Sequence, residues 1–416
     1  MTTFFDTTRR ILAILIGLSI PISTALTNIL CPLAFLLILA EGQYKQKFSM
    51  LRQHPITVAV MLLFAIMLLG FLYTPVSFSE AGRMLSKYRE FLYILLFLLI
   101  FRDNTTRQWG LYGFLSAMGI ILFLSYLVVI TGWHIGKGTP GDPSLFKSYI
   151  TQSLLMALAA HLVAVQCWNQ TQWWRWLLGI VVLLALYNIL FISAGRTGYL
   201  ILFCLIFLFF YQTYRLRGVL LGVIVLTLLS VVVYMYSGVL RERVNDLSES
   251  VQNPQQGENP TSAKMRLEFY KNSLTLIAQK PVFGYGTGSF THEYKKLAEH
   301  QDIILTTNPH SDYLMIAVQW GLIGVGLFIF LLYVMWHATR YLETQPAQMA
   351  QGLVVTIAVG SAVNSLWMDN AEGHIFAYLA GVFYGGLMLT SKGERFKGLV
   401  SERFIPQKND VWAVPR

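Results

Sequence analysis

Apolar residues in this chain come in long unbroken runs rather than as periodic stripes, and no other feature restricts the fold as strongly. Val58–Tyr73, Phe91–Phe101 and Gly218–Tyr236 are runs of this kind. A water-soluble core of this size could not hide them, whereas a helix crossing a bilayer needs about 20 mostly apolar residues. Charge agrees: 12% of the 416 residues are Asp, Glu, Lys or Arg, against about 25% in ordinary soluble domains. The expectation is an all-α integral membrane protein with about twelve transmembrane helices. They are expected near 9–22, 25–41, 56–73, 83–101, 109–131, 149–168, 174–192, 197–213, 218–237, 311–338, 349–367 and 374–391. Pro21 and Pro32 interrupt the first two, which a spanning helix tolerates when neighbours satisfy the freed carbonyls. Arg9 and Arg10 before Ile11–Ile20 would also suit a cleaved signal peptide. Apolar sequence resumes at once through Ala40, however, so an uncleaved first hairpin is expected.

The net charge of +10 would suit a nucleic-acid binder, but its distribution encodes topology instead. With an inside N-terminus, Lys45, Lys47, Arg52, Arg102, Arg107, Arg175, Arg215, Arg217 and Arg340 fall in short cytoplasmic connections, as does the tail Lys392–Arg416. That is the positive-inside pattern, with both termini cytoplasmic and no nucleic acid as partner. The expected divisions are 1–237 (nine spans), 238–310 (an outer loop), 311–391 (three spans) and 392–416 (a basic tail). In the loop, Ser248–Ser262 is rich in Gln, Asn, Pro and Glu and reads as irregular surface chain. Leu267, Tyr270, Leu274 and Ile277 then recur at helical spacing, predicting an amphipathic helix that lies on the membrane domain through that face. It should stop near Lys280-Pro281, before tight turns at Gly284-Tyr285-Gly286-Thr287-Gly288. Cys31, Cys167 and Cys204 have neither metal-ligand nor redox spacing and read as buried single thiols.

Several basic residues lie on the outer side, where topology does not call for them. Arg83, Lys87 and Arg89 open the fourth expected span, and the first two, four apart, share a helix face. Arg196 sits in the Gly-flanked turn Ser193-Ala194-Gly195-Arg196-Thr197-Gly198, and Arg266 opens the loop helix beside Lys264. An arginine at membrane depth is costly unless paired, which makes it a functional candidate; the plainer reading is snorkelling to headgroups. Where the loop re-enters the membrane stands Asn308-Pro309-His310-Ser311-Asp312-Tyr313-Leu314. With an ordinary pKa of roughly 6.5, His310 could be a neutral base or simply a surface residue at a helix start. Asp312 reads as a first-turn acid favoured by the helix dipole. Asp369 and Glu372 put two carboxylates on the outer side, where they would pair with the outer arginines. No lysine of the nucleotide-binding type follows the glycine run, and no Asp-x-Asp or His-Glu-x-x-His occurs, so neither nucleotide nor metal is indicated.

Arg196-Thr197-Gly198, Arg266 through Phe290, and His310 through Gly324, in this order and on one side of a multi-span chain, resemble the O-antigen ligase family. Its superfamily includes O-antigen polymerases and protein O-oligosaccharyltransferases. The resemblance implies a GT-C-type glycosyltransferase of the Gram-negative inner membrane, working without metal or other cofactor. It would move O-antigen from an undecaprenyl diphosphate carrier to lipid A–core at the periplasmic face, among membrane lipids. By resemblance His310 takes the place of the essential loop-end histidine, Arg196 and Arg266 match essential arginines, and Asp369 matches an acid near the last spans. Arg83, Lys87, Arg89 and Lys264 would add charge for binding the diphosphate. A polymerase would use the same donor with a carrier-linked acceptor; such enzymes tend to show a second large outer loop, and Gly132–Ser148 is short. A protein-glycosylating enzyme would differ in acceptor only. A transporter would place polar breaks at mid-membrane and show repeats, which this chain lacks.

The topology has a direct check. In a cysteine-free background, Gln256→Cys should react with an impermeant maleimide added to intact cells, and Ser401→Cys should react only after permeabilisation. The reverse pattern would overturn the assigned orientation.

Overall fold

The computed structural model describes residues 2–193, 195–236, 262–299 and 303–387. The expected irregular segment 248–261 and the basic tail lie outside the described residues. Those described form helices joined by short connections, with two isolated β-bridges between Ile135 and Gly138 and between Thr139 and Asp142. The helices are α1 (Thr2–Ile22), α2 (Thr24–Ala40), α3 (Tyr44–Gln53), α4 (Pro55–Leu69), α5 (Phe78–Lys87), α6 (Glu90–Ile100), α7 (Asn104–Thr131) and α8 (Tyr149–Asn169). They continue as α9 (Trp174–Tyr187), α10 (Arg196–Tyr214), α11 (Leu216–Tyr236), α12 (Ser262–Gln279), α13 (Phe290–Ala298), α14 (Asp312–Ala338), α15 (Thr344–Val363) and α16 (Asn370–Tyr384).

Among the described residues, 8 helical segments are long and apolar enough to cross a membrane, or 9 if the pair α2–α3, bent by 116°, counts as one span. The other expected spans are shorter or charged: α1 carries Asp6, Arg9 and Arg10, and α6 has 11 residues. The expected span 83–101 is broken at Tyr88-Arg89. Its first half, α5, is strongly amphipathic and starts with a capping box between Ser77 and Glu80, so it forms its own short helix. Ala81 and Met84 are buried while Arg83 and Lys87 face outward.

α6 is apolar all round and sits in the centre, as a helix with no polar face must. Phe97 and Phe101 are buried against α16, where they meet the Tyr378 ring edge-on, and the buried Phe91 stacks on Trp367. The Tyr378 hydroxyl reaches Ala13 O at 2.6 Å and Gly110 O at 2.9 Å, joining α1, α7 and α16. Gly381 lets α16 approach α6; a Cβ there would stand 2.5 Å from Phe97 Cβ. At the end of the bundle away from the loop, Glu41 takes Arg9 at 2.9 Å, Lys47 at 2.9 Å and Arg102, fixing the bend between α2 and α3.

The 27-residue helix α14 is not continuous. Gly321, at φ +62° and ψ −164°, breaks α14, a backbone region open in practice only to glycine. A break inside a span strands carbonyls on one side and N–H groups on the other. Residues 281–288 supply both partners. Tyr285 N and Gly286 N donate to Val318 O (2.9 Å) and Gln319 O (2.8 Å), while Leu322 N and Ile323 N donate to Pro281 O (2.8 Å) and Val282 O (3.4 Å). The Gln319 side chain accepts from Gly288 N at 2.7 Å, and Trp320 Nε1 donates to Thr287 Oγ1 at 2.9 Å. Thr287 reaches across to α4, its Oγ1 donating to Met67 O and its N to Gly70 O. The glycine run expected to make tight turns does so, with positive φ at Gly284, Gly286 and Gly288.

α12 forms as the sequence spacing predicts and ends at Gln279, before Pro281, but it turns a different face inward. Leu267 and Leu274 are 51% and 57% exposed, whereas Phe269, Ser273 and Leu276 are buried with Tyr285, Phe290, Tyr294, Met315 and Val318. The reason is that α12 packs on the short α13 and the start of α14 together, and this second small core selects the Phe269 side. Asn272 and Ser273 enter it because their hydrogen bonds are met by Tyr294 Oη (2.9 Å) and Phe269 O (2.6 Å).

Gly321→Ala should unfold in detergent at clearly lower temperature than the parent. The Cβ would stand 2.1 Å from Val282 O, on top of about 1–3 kcal/mol of backbone strain. Gly326→Ala, a helical position where a Cβ meets nothing within 4 Å, should leave the melting point unchanged or raise it.

Candidate functional site

The chain re-enters the bundle through a turn held by side-chain hydrogen bonds. Asn308 Oδ1 accepts from His310 N at 2.8 Å and from Ser365 Oγ at 2.7 Å, so one side chain fixes His310 and ties it to the segment after α15. His310 takes φ +56°, the left-handed region that disfavours any residue with a Cβ. Such strain persists where surrounding contacts over-determine it, and functional sites are where it collects. The ring stacks on Phe269, 6.2 Å between centroids and 23° between planes. Tyr270 Oη lies 3.2 Å from His310 O and 3.3 Å from Ala362 O. Arg266, one turn earlier on α12, donates from Nη1 to Val363 O at 3.3 Å. Partial burial lowers the His310 pKa below its ordinary value, the Arg266 charge lowers it further, and a hydrogen bond with the Asn364 side chain opposes both. The result is a neutral imidazole at neutral pH beside a fixed guanidinium.

Asp312 is the first-turn acid of α14 that the sequence suggested, and it has a second role there. It is fully buried, and its carboxylate accepts from Ser361 Oγ (2.7 Å), Leu366 N (2.9 Å) and Trp367 N (3.4 Å). Those backbone N–H groups belong to the turn that leaves α15, where no helical carbonyl can take them. Ser311 Oγ to Ser361 O (3.3 Å) and Tyr313 Oη to Ala358 O (3.2 Å) add to the seam. The start of α14 and the end of α15 are thus one hydrogen-bonded block, with His310 at its edge.

A second polar group lies where α16 begins. Arg89 Nη2 donates to Asn28 Oδ1 (3.3 Å) and Asn370 Oδ1 (3.2 Å), and its Nε is 3.6 Å from Glu90. Burial raises the Asp369 pKa, against the attraction of Lys87. The sequence expectation that Asp369 and Glu372 pair with arginines needs correction: Asp369 faces Lys87, and the buried Glu372 faces Lys147 and Thr151. Lys147 lies in the short connection before α8, held by Thr24 Oγ1 at 2.5 Å. Asp312 and Asp369 feel each other's charge, so the two polar groups adjoin through Trp367. Arg83 stands on the exposed face of α5 one turn before Lys87, and Lys264 is half-buried on α12 two residues before Arg266.

Arg196 is placed by close helix packing. α9 ends in a π turn, Asn188–Ile192, closed by Ser193 N to Asn188 O at 2.8 Å. The chain then passes Ser153 of α8 so closely that a Cβ at Gly195 or Gly198 would stand 2.0 or 2.5 Å from that side chain. The two glycines flanking Arg196 therefore set how near α10 comes to α8. Further along α10, Ile201 packs by Gly360 near the end of α15, so α10 starts at the bundle end that carries His310. Sequence reasoning missed Asn308, Asn364 and Lys147, and took Tyr270 for an apolar position. The Asn-Pro pair before His310 was the one available signal, since Asn favours turn starts. Among the described residues no group of three or more His, Cys, Asp or Glu converges as for a metal ion.

These features define a class: a polytopic helical membrane protein with a buried ionic cluster at one end of the bundle and, at the other end under a folded loop, a polar site around His310. Residues 180–331, which include Arg196, Arg266 and His310, match the family described as O-Antigen ligase. The match covers less than half of the chain and supports the family that its motifs suggested. No curated protein matches the chain.

Asp312→Ala should lower the unfolding temperature, because each buried donor left unpaired costs about 1–3 kcal/mol. Asp312→Asn, which can still accept at one oxygen, should fall between parent and Ala. Equal melting points for all three proteins would show that the seam does not hold the block together.

Proposed function

We propose that this protein is an O-antigen ligase, transferring glycan from undecaprenyl diphosphate to lipid A–core at the periplasmic face of the inner membrane. The observation that carries the reading is His310, neutral and held in a strained backbone geometry beside Arg266. The acceptor hydroxyl attacks the anomeric carbon, and His310 takes its proton as the new C–O bond forms. The bond to the diphosphate breaks with its electron pair, and the negative charge that develops there is met by Arg196 and Arg266. A planar guanidinium suits phosphate oxygens, and donors placed before the reaction need no reorganisation during it. Lys87, Arg89, Arg83 and Lys264 would hold the diphosphate on entry, with Asp369 setting the position of Lys87. Direct displacement inverts the anomeric centre, in a GT-C-type bundle of about twelve spans needing no metal.

The test uses purified protein with undecaprenyl-diphosphate-linked glycan and lipid A–core, with and without EDTA. Glycan should appear on lipid A–core in both, and His310→Ala should reduce transfer by about 10²–10⁴. Longer chains left on the carrier would make the protein a polymerase, and undiminished transfer by His310→Ala would remove the proposed base. The pH profile adds a signed check. A neutral His310 is required and its pKa is lowered, so kcat/KM should hold to below about pH 6.5 before falling. Arg266→Gln removes a repelling charge, so in that variant the acid limb should move to higher pH, along with a fall in rate.

A further inference from the structure

A base must present a lone pair to its substrate, and a neutral imidazole has one nitrogen protonated and one free. Which nitrogen is free depends on what the other one bonds to. The structure places a partner for that role at the end of α15. His310 is tied through its own backbone to both sides of residue 364: Tyr270 Oη spans His310 O and Ala362 O, and Asn308 Oδ1 joins His310 N to Ser365 Oγ. Asn364 therefore lies against His310, its side chain near enough to the imidazole to favour a proton on the ring. It is 5% exposed and stands in extended backbone just past the helix, anchored by its N to Gly360 O at 2.8 Å. Asp312 clamps the next two N–H groups, at Leu366 and Trp367, so Asn364 has little freedom to move.

We propose that Asn364 is the positioning residue for His310: its side-chain oxygen accepts the ring N–H, fixes the tautomer and turns the free nitrogen toward the acceptor hydroxyl. The inference rests on His310 being the base. An amide suits this task better than a carboxylate here. It orients the ring without a charge that would hold a proton on it, and leaves the base neutral beside Arg266. The charged and titratable groups around His310 are Arg266 and Tyr270 on α12 and Asp312 on α14, with Asp369 acting through Asp312. None of these is offered to the ring by α15, so Asn364 is that helix's contribution.

The experiment measures kcat, KM and pH profiles for the full-length protein in detergent, with undecaprenyl-diphosphate-linked glycan and lipid A–core. Asn364→Ala should lower kcat on the order of 10–100-fold, the scale of lost orientation, with KM nearly unchanged. Asn364→Asp keeps the size and puts a negative charge on the ring N–H. That charge favours the imidazolium, so the acid limb of kcat/KM should move to higher pH by about 1 unit. A structural residue would not produce that shift. If Asn364→Ala does not fold, the Asp variant decides. An unchanged acid limb in Asn364→Asp, or failure of both variants to fold, overturns the proposal. Transfer that survives His310→Ala would instead remove the reading beneath it, so the two failures are told apart.

Discussion

The backbone of α14 is broken at Gly321, and the groups released there are bonded by residues 281–288 of the loop. In a bilayer this exchange is close to obligatory, because a stranded N–H or carbonyl has no water to turn to. It makes the loop part of the bundle rather than an appendage. Val282 and Tyr285 are in effect extensions of the α14 ladder, and Thr287 continues the connection to α4 through Met67 and Gly70. α12 and α13 are anchored at one end by that loop and at the other by the turn that carries His310. A position such as Arg266 then inherits its place from the break.

The same economy of orphan groups builds the His310 block. Helix ends leave backbone donors unmatched, and a buried end must be capped by side chains. Asp312 caps the exit of α15 from the neighbouring helix, Asn308 caps the turn from within, and Ser311 caps α14 through Leu314 N. Each cap also fixes a residue of the candidate site, so stability and geometry depend on the same hydrogen bonds. Because the caps come from facing helices, the left-handed His310 is held from several directions at once.

Charge is distributed on two scales. Glu41 gathers Arg9, Lys47 and Arg102 at one end of the bundle, and Arg9 also meets Asp6 and Asp103, so each base of this cluster is paired with a close carboxylate. At the other end acids and bases are interleaved less tightly: Arg89 bonds neutral Asn28 and Asn370 with Glu90 3.6 Å from its Nε, and Lys87 faces Asp369. A cation whose hydrogen bonds go to amides keeps more of its attraction for an anion than one bonded directly to carboxylates. That difference in partners, more than the number of charges, distinguishes the candidate site from the structural cluster.

The helices themselves were legible in the sequence, because long apolar runs admit few alternatives and Lys280-Pro281 with the glycine run marks its own turn. Arg196, Arg266 and His310 could be singled out because charged or ionisable residues stand out against an apolar background and their order matches a family pattern. The sequence could not tell which face of α12 is buried: Leu267 and Leu274 look apolar enough, but only packing against α13 and α14 selects Phe269 and Leu276. Nor could it split the run 83–101, since whether α5 spans or lies apart depends on what covers its Ala81 face. Asn364 and Lys147 carry no local signal of their roles, and Asn308 carries only that of a turn. Asn308 meets Ser365 57 positions on and Lys147 meets Thr24 123 positions back, and such contacts exist only once α2, α8, α12, α14, α15 and α16 have packed. Hydrophobic run length is a local property and can be read along the chain; the matching of buried polar groups is a property of the whole packing, and only the tertiary structure decides it.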